Sequence, residues 1–324
     1  MAIIGAGLAG LTLAKELQAR FQVQVFEKSR HVGGRMASSE LNGYQFDHGA
    51  QYFIARSAPF KNFLQPFIAQ GHIARWDVNF VEIAAGEITQ KWKWDEEYPH
   101  YVATPTMRAL AEAMTSELVI NHKIKVKKLT KTDNQWQLFG ENNQELGLFD
   151  WVITAIPSQQ VTDLIPHNFN NYGAISRRKL KGCYSLMLGY QEDLSIPWDA
   201  ALIKDADISW VCNNHTKPGR PKGHYSLLVH STNRWADSNM DLADEAVIEY
   251  LMRETSSVLK LDLQQAELID LHRWRYANIS RHEDFRSCID SELQLGAIGD
   301  WCIKGRVEAA YLSAIDAADK LLLQ

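Results

Sequence analysis

Met1-Ala2-Ile3-Ile4-Gly5-Ala6-Gly7-Leu8-Ala9-Gly10 opens the chain, and its reading decides the fold. Four apolar residues make a short strand, and three glycines follow in the spacing GxGxxG. Residues 8–20 then read as a helix, with Leu11, Leu13, Ala14 and Leu17 available for packing. Residues 22–27 alternate and read as a second strand ending in Glu27. Each part has a physical use in holding a dinucleotide. Gly5 permits the tight turn, Gly7 lets the backbone approach a pyrophosphate, and Gly10 lets the helix lie close on the strand. The helix N-terminus, at Ala9 and Gly10, offers unpaired N–H groups and a positive dipole end to the phosphates. Glu27, about 17 residues beyond Gly10, accepts hydrogen bonds from ribose hydroxyls and disfavours a 2′-phosphate. The bound adenosine is therefore FAD-like or NAD-like. The first strand begins at Met1 itself; it reads either as frayed or as preceded by further residues.

Outward from this unit, 324 residues are too many for one small core, and two domains are expected. Hydrophobic residues make up 46% and charged residues 23%, as in an ordinary globular protein. Ten Trp, eleven Tyr and twelve Phe suit a large apolar pocket without proving one. A net charge of -5 argues against a nucleic-acid binder, which shows a basic footprint. No run approaches the roughly 18 apolar residues of a membrane span. Cys183, Cys212, Cys288 and Cys302 form neither a CxxC pair nor a zinc spacing, so no metal site is expected. The N-terminus lacks the basic segment of a signal peptide. The expectation is a cytoplasmic protein with reduced thiols, and with no nucleic-acid, membrane or identifiable protein partner.

Residues 28–36 decide between the two cofactors. Gly33-Gly34-Arg35 follows the acid and is foreign to a nicotinamide-binding fold. It resembles the motif after the second strand in flavin amine oxidases. There the glycine pair passes close to the cofactor and the arginine contacts its phosphates. Phe46-Asp47-His48-Gly49-Ala50-Gln51-Tyr52-Phe53 looks like the turn that carries flavin-contacting residues in that family. Near the C-terminus, Leu295 to Trp301 is an apolar strand ending in Gly299-Asp300, and an Ala-rich helix follows Gly305. In two-domain flavoproteins such an Asp lies near the ribityl or pyrophosphate part of FAD. The following helix points its positive end at the pyrimidine side of the ring, favouring negative charge there on reduction. The resemblance also places Lys28, Gly34, Met36, Arg306, Val307 and Glu308 along the cofactor.

In the middle, 124–129, 135–139 and 149–156 are strand-like and resemble the β-meander and last strand of an FAD domain, with the Val126 backbone at the adenine. Lysines 123, 125, 127, 128 and 131 read as a solvated face. The fold expected is α/β: a Rossmann-type FAD-binding domain with a second, α+β substrate domain. The FAD domain takes 1–54, 101–158 and 290–324, and the substrate domain takes 55–100 and 159–289. Strands are expected at 182–190, 208–212 and 224–230, and an amphipathic helix at 241–259. The pocket would lie where the domains meet over the flavin.

The motifs Gly5–Gly10, Lys28–Met36, Asp47–Arg56, Lys217–Arg220, His272–Ala277 and Gly299–Ser313, with Trp210, His230 and Trp235, resemble those of the renalase family within the flavin amine oxidase fold group. The resemblance spans the whole chain. It implies noncovalent FAD, oxidation of misreduced β-NAD(P)H isomers to β-NAD(P)+, and electron transfer to O2, giving H2O2. The residues agree in one respect. Oxidising a dihydropyridine needs orientation of a C–H more than a general base, and no base constellation is evident. Amine oxidation, and an FAD-binding module without turnover, remain as alternatives.

The pocket candidates are Gln51, Tyr52, Trp210, His230, Trp274 and Tyr276. Gln51 and Tyr52 sit in the flavin-contacting turn. Trp274 and Tyr276 alternate on a strand and either stack on a nicotinamide or pack in the core. His230 is either a partner for a carboxamide or a satisfied core histidine. Trp210 is a wall of the pocket or core. Lys217, Arg220 and Lys222 surround Pro218, Gly219 and Pro221, which fix a turn. That turn is either a solvated basic loop or an attractor for substrate phosphates. Cys302 reads as packed near the flavin and not redox-active.

Overall fold

The computed structural model describes residues 1–94, 96, 99–280 and 284–323. The chain divides into two compact units: Met1–Met36, Leu110–Leu180 and Ile279–Gln324 form one, and Ala37–Ala109 with Lys181–Asn278 the other.

The first unit is built on a six-stranded sheet in the order Val119–His122, Gln24–Glu27, Ala2–Ile4, Val152–Thr154, Leu295–Ala297, Cys288–Asp290. The first five run parallel and the edge strand Cys288–Asp290 is antiparallel. Ala2–Ile4 is not frayed. It is buried, is paired on both sides, and the Met1 amino group donates to the Gln22 carbonyl at 2.8 Å. Strands buried on both faces read as continuous apolar runs, as Ala2-Ile3-Ile4 and Val152-Ile153 do. Helices Leu8–Leu17 and Val307–Leu322 pack together, and the second buries Ala309, Ala314 and Ala317. A three-stranded antiparallel meander, Lys128–Thr132, Gln135–Phe139 and Glu145–Phe149, completes this unit.

The second unit holds a seven-stranded sheet in the order Leu268–Ile279, Leu180–Tyr190, Tyr225–Ser231, Ile208–Asn213, Ala200–Lys204, Asn79–Ala84, Glu87–Lys93. Helix Asp244–Leu259 buries Val247, Leu251 and Met252 in the same core as Leu186, Leu188, Val211 and Val229. Smaller sheets are formed by Phe53–Ile54, His100–Ala103 and Ile73–Arg75, and by Ser39–Leu41 with Tyr44–Phe46.

Segment 37–54 thus lies in the second unit, since Phe53–Ile54 pairs with His100–Ala103. Segment 159–180 lies in the first, where Gln159 donates to the Leu180 carbonyl at 2.9 Å. Of the strand read over 124–129, only Lys128 and Leu129 are strand, where the meander starts; the strand ahead of it, Val119–His122, joins the main sheet. Between them Ile124 N–H donates to the Glu27 carbonyl at 2.9 Å, a contact that ends the local pairing pattern.

Candidate active site

The first unit contains a cradle at the C-terminal edge of its parallel strands, where ligands of open α/β sheets bind. Gly5 has φ +108°, and an added Cβ would sit 2.7 Å from the Ala155 carbonyl oxygen. At Gly10 it would overlap the Gly5 carbonyl. At Gly7 it would meet nothing within 4 Å, so that space is open. Helix Leu8–Leu17 has Gly7 as its N-cap and no side chain caps it, leaving its first amides for an anion. The second glycine loop lies against the first: Gly33 N–H donates to the Ala6 carbonyl at 2.8 Å, and Gly7 and Gly33 form a parallel bridge.

Glu27 is buried, and its two oxygens accept from Ala6 N–H and Ser29 N–H, each at 2.8 Å. Those bonds fix the carboxylate, and each oxygen keeps a second lone pair for a ribose hydroxyl. Arg35 and Asp300 form a bidentate pair, which brings two predicted cofactor residues together from positions 265 apart. Met36 and Val126 are buried, Lys28 and Arg306 are exposed, and Arg306 precedes helix Val307–Leu322, whose first turn carries Glu308. The open space over Gly7, the uncapped helix and the fixed acid fit a dinucleotide such as FAD. Cys302 is buried and its thiol is pushed well up by burial, which suits packing.

In the second unit a polar cluster forms under the turn 47–52. Asp47, Lys217 and Arg220 are buried, and both cations pair with the one carboxylate, Lys217 Nζ at 3.1 Å. Burial alone would raise the Asp47 pKa, but Lys217, Arg220 and the Met107 N–H outweigh it and hold it at about 2. This corrects both readings of the Lys217–Arg220 turn. The turn exists, but its two cations are neither solvated nor free for a phosphate; Arg220 also donates to the Ala103 and Pro218 carbonyls. Only Lys222 is exposed.

Gln51 joins this cluster, its Oε1 accepting from Lys217 Nζ at 3.1 Å and from Cys212 Sγ at 3.2 Å. His230 lies next to it, 3.4 Å from Gln51 Nε2 and 3.3 Å from the His48 carbonyl. Trp274 Nε1 donates to the same carbonyl at 2.9 Å, and its ring stacks on His48 at 5.5 Å. His272 stands 4.3 Å from both rings. Burial lowers all three histidines, His48 to about 3 and His230 to about 4. They are therefore neutral at pH 7.

Tyr52 and Trp210 belong to a neighbouring aromatic group, 5.7 Å apart, with Trp94 4.7 Å from Tyr52. Tyr276 is half-buried and makes no ring contact among the described residues. The sequence reading missed Asp47, His48, His272, Trp94 and Cys212. Asp47 and His48 lay inside the flavin-contacting turn, and His272 shared the strand alternation of Trp274 and Tyr276. These three carried a local signal, though none was named a pocket candidate; Trp94 and Cys212 carried none. Among the described residues no group of His, Cys, Asp and Glu could hold a metal, and no helix is long and apolar enough to cross a membrane.

A Rossmann-type cradle joined to a second unit built on a mixed sheet defines a two-domain flavoprotein. Residues 3–67 match the NAD(P)-binding Rossmann-like domain, and residues 73–322 match the flavin containing amine oxidoreductase family. The chain belongs to that family, and its cofactor is FAD. A proposed protoporphyrinogen oxidase from Exiguobacterium sp. 255-15 has the same fold, with a TM-score of 0.81 over 100% of this chain and 98% of that one at 11% identity. Putrescine oxidase bound to putrescine gives 0.75 over 100% and 98%, also at 11% identity. Among curated proteins, 1-hydroxycarotenoid 3,4-desaturase of Flavobacterium sp. (strain P99-3) is 48% identical over 52 residues, 16% of this chain and 11% of the desaturase. A 4,4'-diapophytoene desaturase of Staphylococcus haemolyticus is 46% identical over 50 residues, 15% of this chain and 10% of its own. The matched stretch is thus about a tenth of those relatives' length.

Proposed function

We propose that the chain is an FAD-dependent oxidase of misreduced β-NAD(P)H isomers, related to the renalases, producing β-NAD(P)+ with O2 as the final acceptor and H2O2 as the second product. The observation that carries this reading is the charge state of the second unit's polar cluster. Its carboxylate, Asp47, is consumed by two cations, and its histidines are held neutral as very weak bases. An amine substrate arrives as an ammonium and must lose a proton. A dihydropyridine carries no proton to remove, and its oxidation makes an aromatic pyridinium.

When bound noncovalently, FAD supplies the hydride acceptor and the route to O2. The protein's part is orientation. Gly7 would leave room for the pyrophosphate while Gly5 and Gly10 close the turn beside it, Glu27 would hold a ribose, and the Arg35–Asp300 pair would offer hydrogen-bonding groups to the same cradle. Trp274, held by its bond to the His48 carbonyl, offers a flat face to a dihydropyridine. The neutral histidines add no positive charge beside a forming cation.

A second reading, amine oxidation, is favoured by the Tyr52, Trp94 and Trp210 rings, whose faces attract cations, and by the fold shared with putrescine oxidase. One experiment separates the two. The yellow protein is mixed anaerobically with a mixture of reduced β-NAD isomers and, separately, with putrescine and other amines. Rapid bleaching of the flavin by the isomers alone is expected. Bleaching by amines alone would replace the first reading with the second, and bleaching by neither would leave an FAD-binding module without turnover.

A further inference from the structure

Gln51 has one amide orientation available. Its Oε1 faces the Lys217 ammonium, which can only donate, and the Cys212 thiol. Its Nε2 donates to the Asp47 and Gly49 carbonyls, the second at 2.9 Å, which uses both amide hydrogens. A flipped amide would set two amide hydrogens against the ammonium and a carbonyl oxygen against two carbonyls. Lys217 cannot turn away, because it is fully buried and tied to Asp47.

The consequence passes to His230. Its Nε2 lies 3.4 Å from Gln51 Nε2 and 3.3 Å from the His48 carbonyl oxygen. The His48 carbonyl already accepts from Ser185 Oγ at 2.7 Å and from Trp274 Nε1 at 2.9 Å. With no amide hydrogen left to receive, a bare Nε2 would face that oxygen lone pair to lone pair, and a proton on Nε2 removes the repulsion. The other ring nitrogen, Nδ1, is then an unprotonated acceptor. It makes no hydrogen bond with the described residues, and the His230 side chain is only partly buried, which leaves this edge of the ring for a ligand.

We propose that Lys217 and Gln51 are positioning residues that hold His230 as the Nε2–H tautomer, making His230 Nδ1 the acceptor that selects a substrate bearing an N–H donor. Resting on the function proposed above, that donor is the carboxamide of the dihydropyridine ring. The site is a difference detector. An analogue with a methyl ketone in place of the carboxamide keeps the ring and the hydride but has nothing to donate. The neutrality that burial imposes on the imidazole agrees with an acceptor role.

The test has two arms. In the first, the holoenzyme is labelled with ¹⁵N-histidine and the ring nitrogen shifts of His230 are read, assigned by their loss in His230→Gln. Protonated Nε2 with bare Nδ1 is expected; protonated Nδ1 or an imidazolium overturns the proposal. Lys217→Met keeps the Asp47–Arg220 pair and frees the Gln51 amide, so a mixed or reversed tautomer is expected there. An unchanged tautomer in a folded Lys217→Met overturns the relay. In the second arm, misreduced isomers of β-NAD and of its 3-acetylpyridine analogue are compared. The wild type is expected to favour the carboxamide by about tenfold in kcat/KM, the worth of one hydrogen bond. His230→Phe is expected to erase that preference, and a preference that survives overturns the acceptor role. If the wild type oxidises neither compound, the functional reading fails, while the NMR arm still decides the tautomer.

Discussion

His48 and His230 show what burial does to single residues. Both rings are neutral in the folded protein, with pKa values about 3 and about 4 against an ordinary 6.5. Unfolded, both take a proton as the pH falls below 6.5, and the folded state refuses it. Their contribution is therefore complete above pH 6.5 and is lost as the pH falls toward 4. Each costs about 1.4 kcal/mol per pH unit in that window. Asp47 has the same sign lower down, losing its contribution between its ordinary 3.8 and about 2. Denaturant melts from pH 7 to 4 should show this acid limb, and His230→Asn should make it shallower. Stability that stays level down to pH 4.5 would contradict it. None of this was legible locally. The composition of Lys217-Pro-Gly-Arg220 announces a turn correctly, but Lys217 meets Asp47 across 170 positions, so spacing alone left its cations on the surface.

Among the elements, the turn between strand Ala2–Ile4 and helix Leu8–Leu17 was the most legible. Its chemistry is carried by residues within one short stretch, where steric limits act over two or three bonds. The structure separates the work of its glycines. Gly5→Ala places a Cβ 2.7 Å from the Ala155 carbonyl on a backbone at φ +108°, so the fold itself should suffer by about 1–3 kcal/mol. Gly7→Ala meets nothing within 4 Å, so the melting temperature should hold while the cradle is filled. Thermal melts and the flavin-to-protein absorbance ratio distinguish the two variants. A Gly7→Ala protein with full flavin would show that no cofactor group occupies that space. The elements least legible were those of 58–103, such as helix Ala58–Ala69 and the edge strand Glu87–Lys93. That strand is exposed along its whole length, so no alternation of burial marks it.

For the whole molecule, distant parts of the chain depend on one another. Strand Val152–Thr154 lies between Ala2–Ile4 and Leu295–Ala297, and helix Val307–Leu322 covers helix Leu8–Leu17. Deleting 288–324 would expose the inner strand Val152–Thr154 and the first helix together. The truncated chain is expected to bind no flavin and to lose its cooperative melt. A truncated protein that stays yellow and melts sharply would show that the N-terminal half of the sheet stands alone.

By itself the sequence determined the strand–turn–helix–strand unit, the acid at Glu27, the second glycine pair and the Gly-Asp strand near the C-terminus. These are local patterns, and together they specify a flavoprotein of two domains. Only the tertiary structure decided which charges are spent. It took Asp47, Lys217 and Arg220 out of water as a closed group, fixed the Gln51 amide and left the neighbouring histidines neutral. The physical reason is that protonation and hydrogen-bond polarity follow from burial and from neighbours, and the turn at 47–51 meets neighbours more than a hundred positions away.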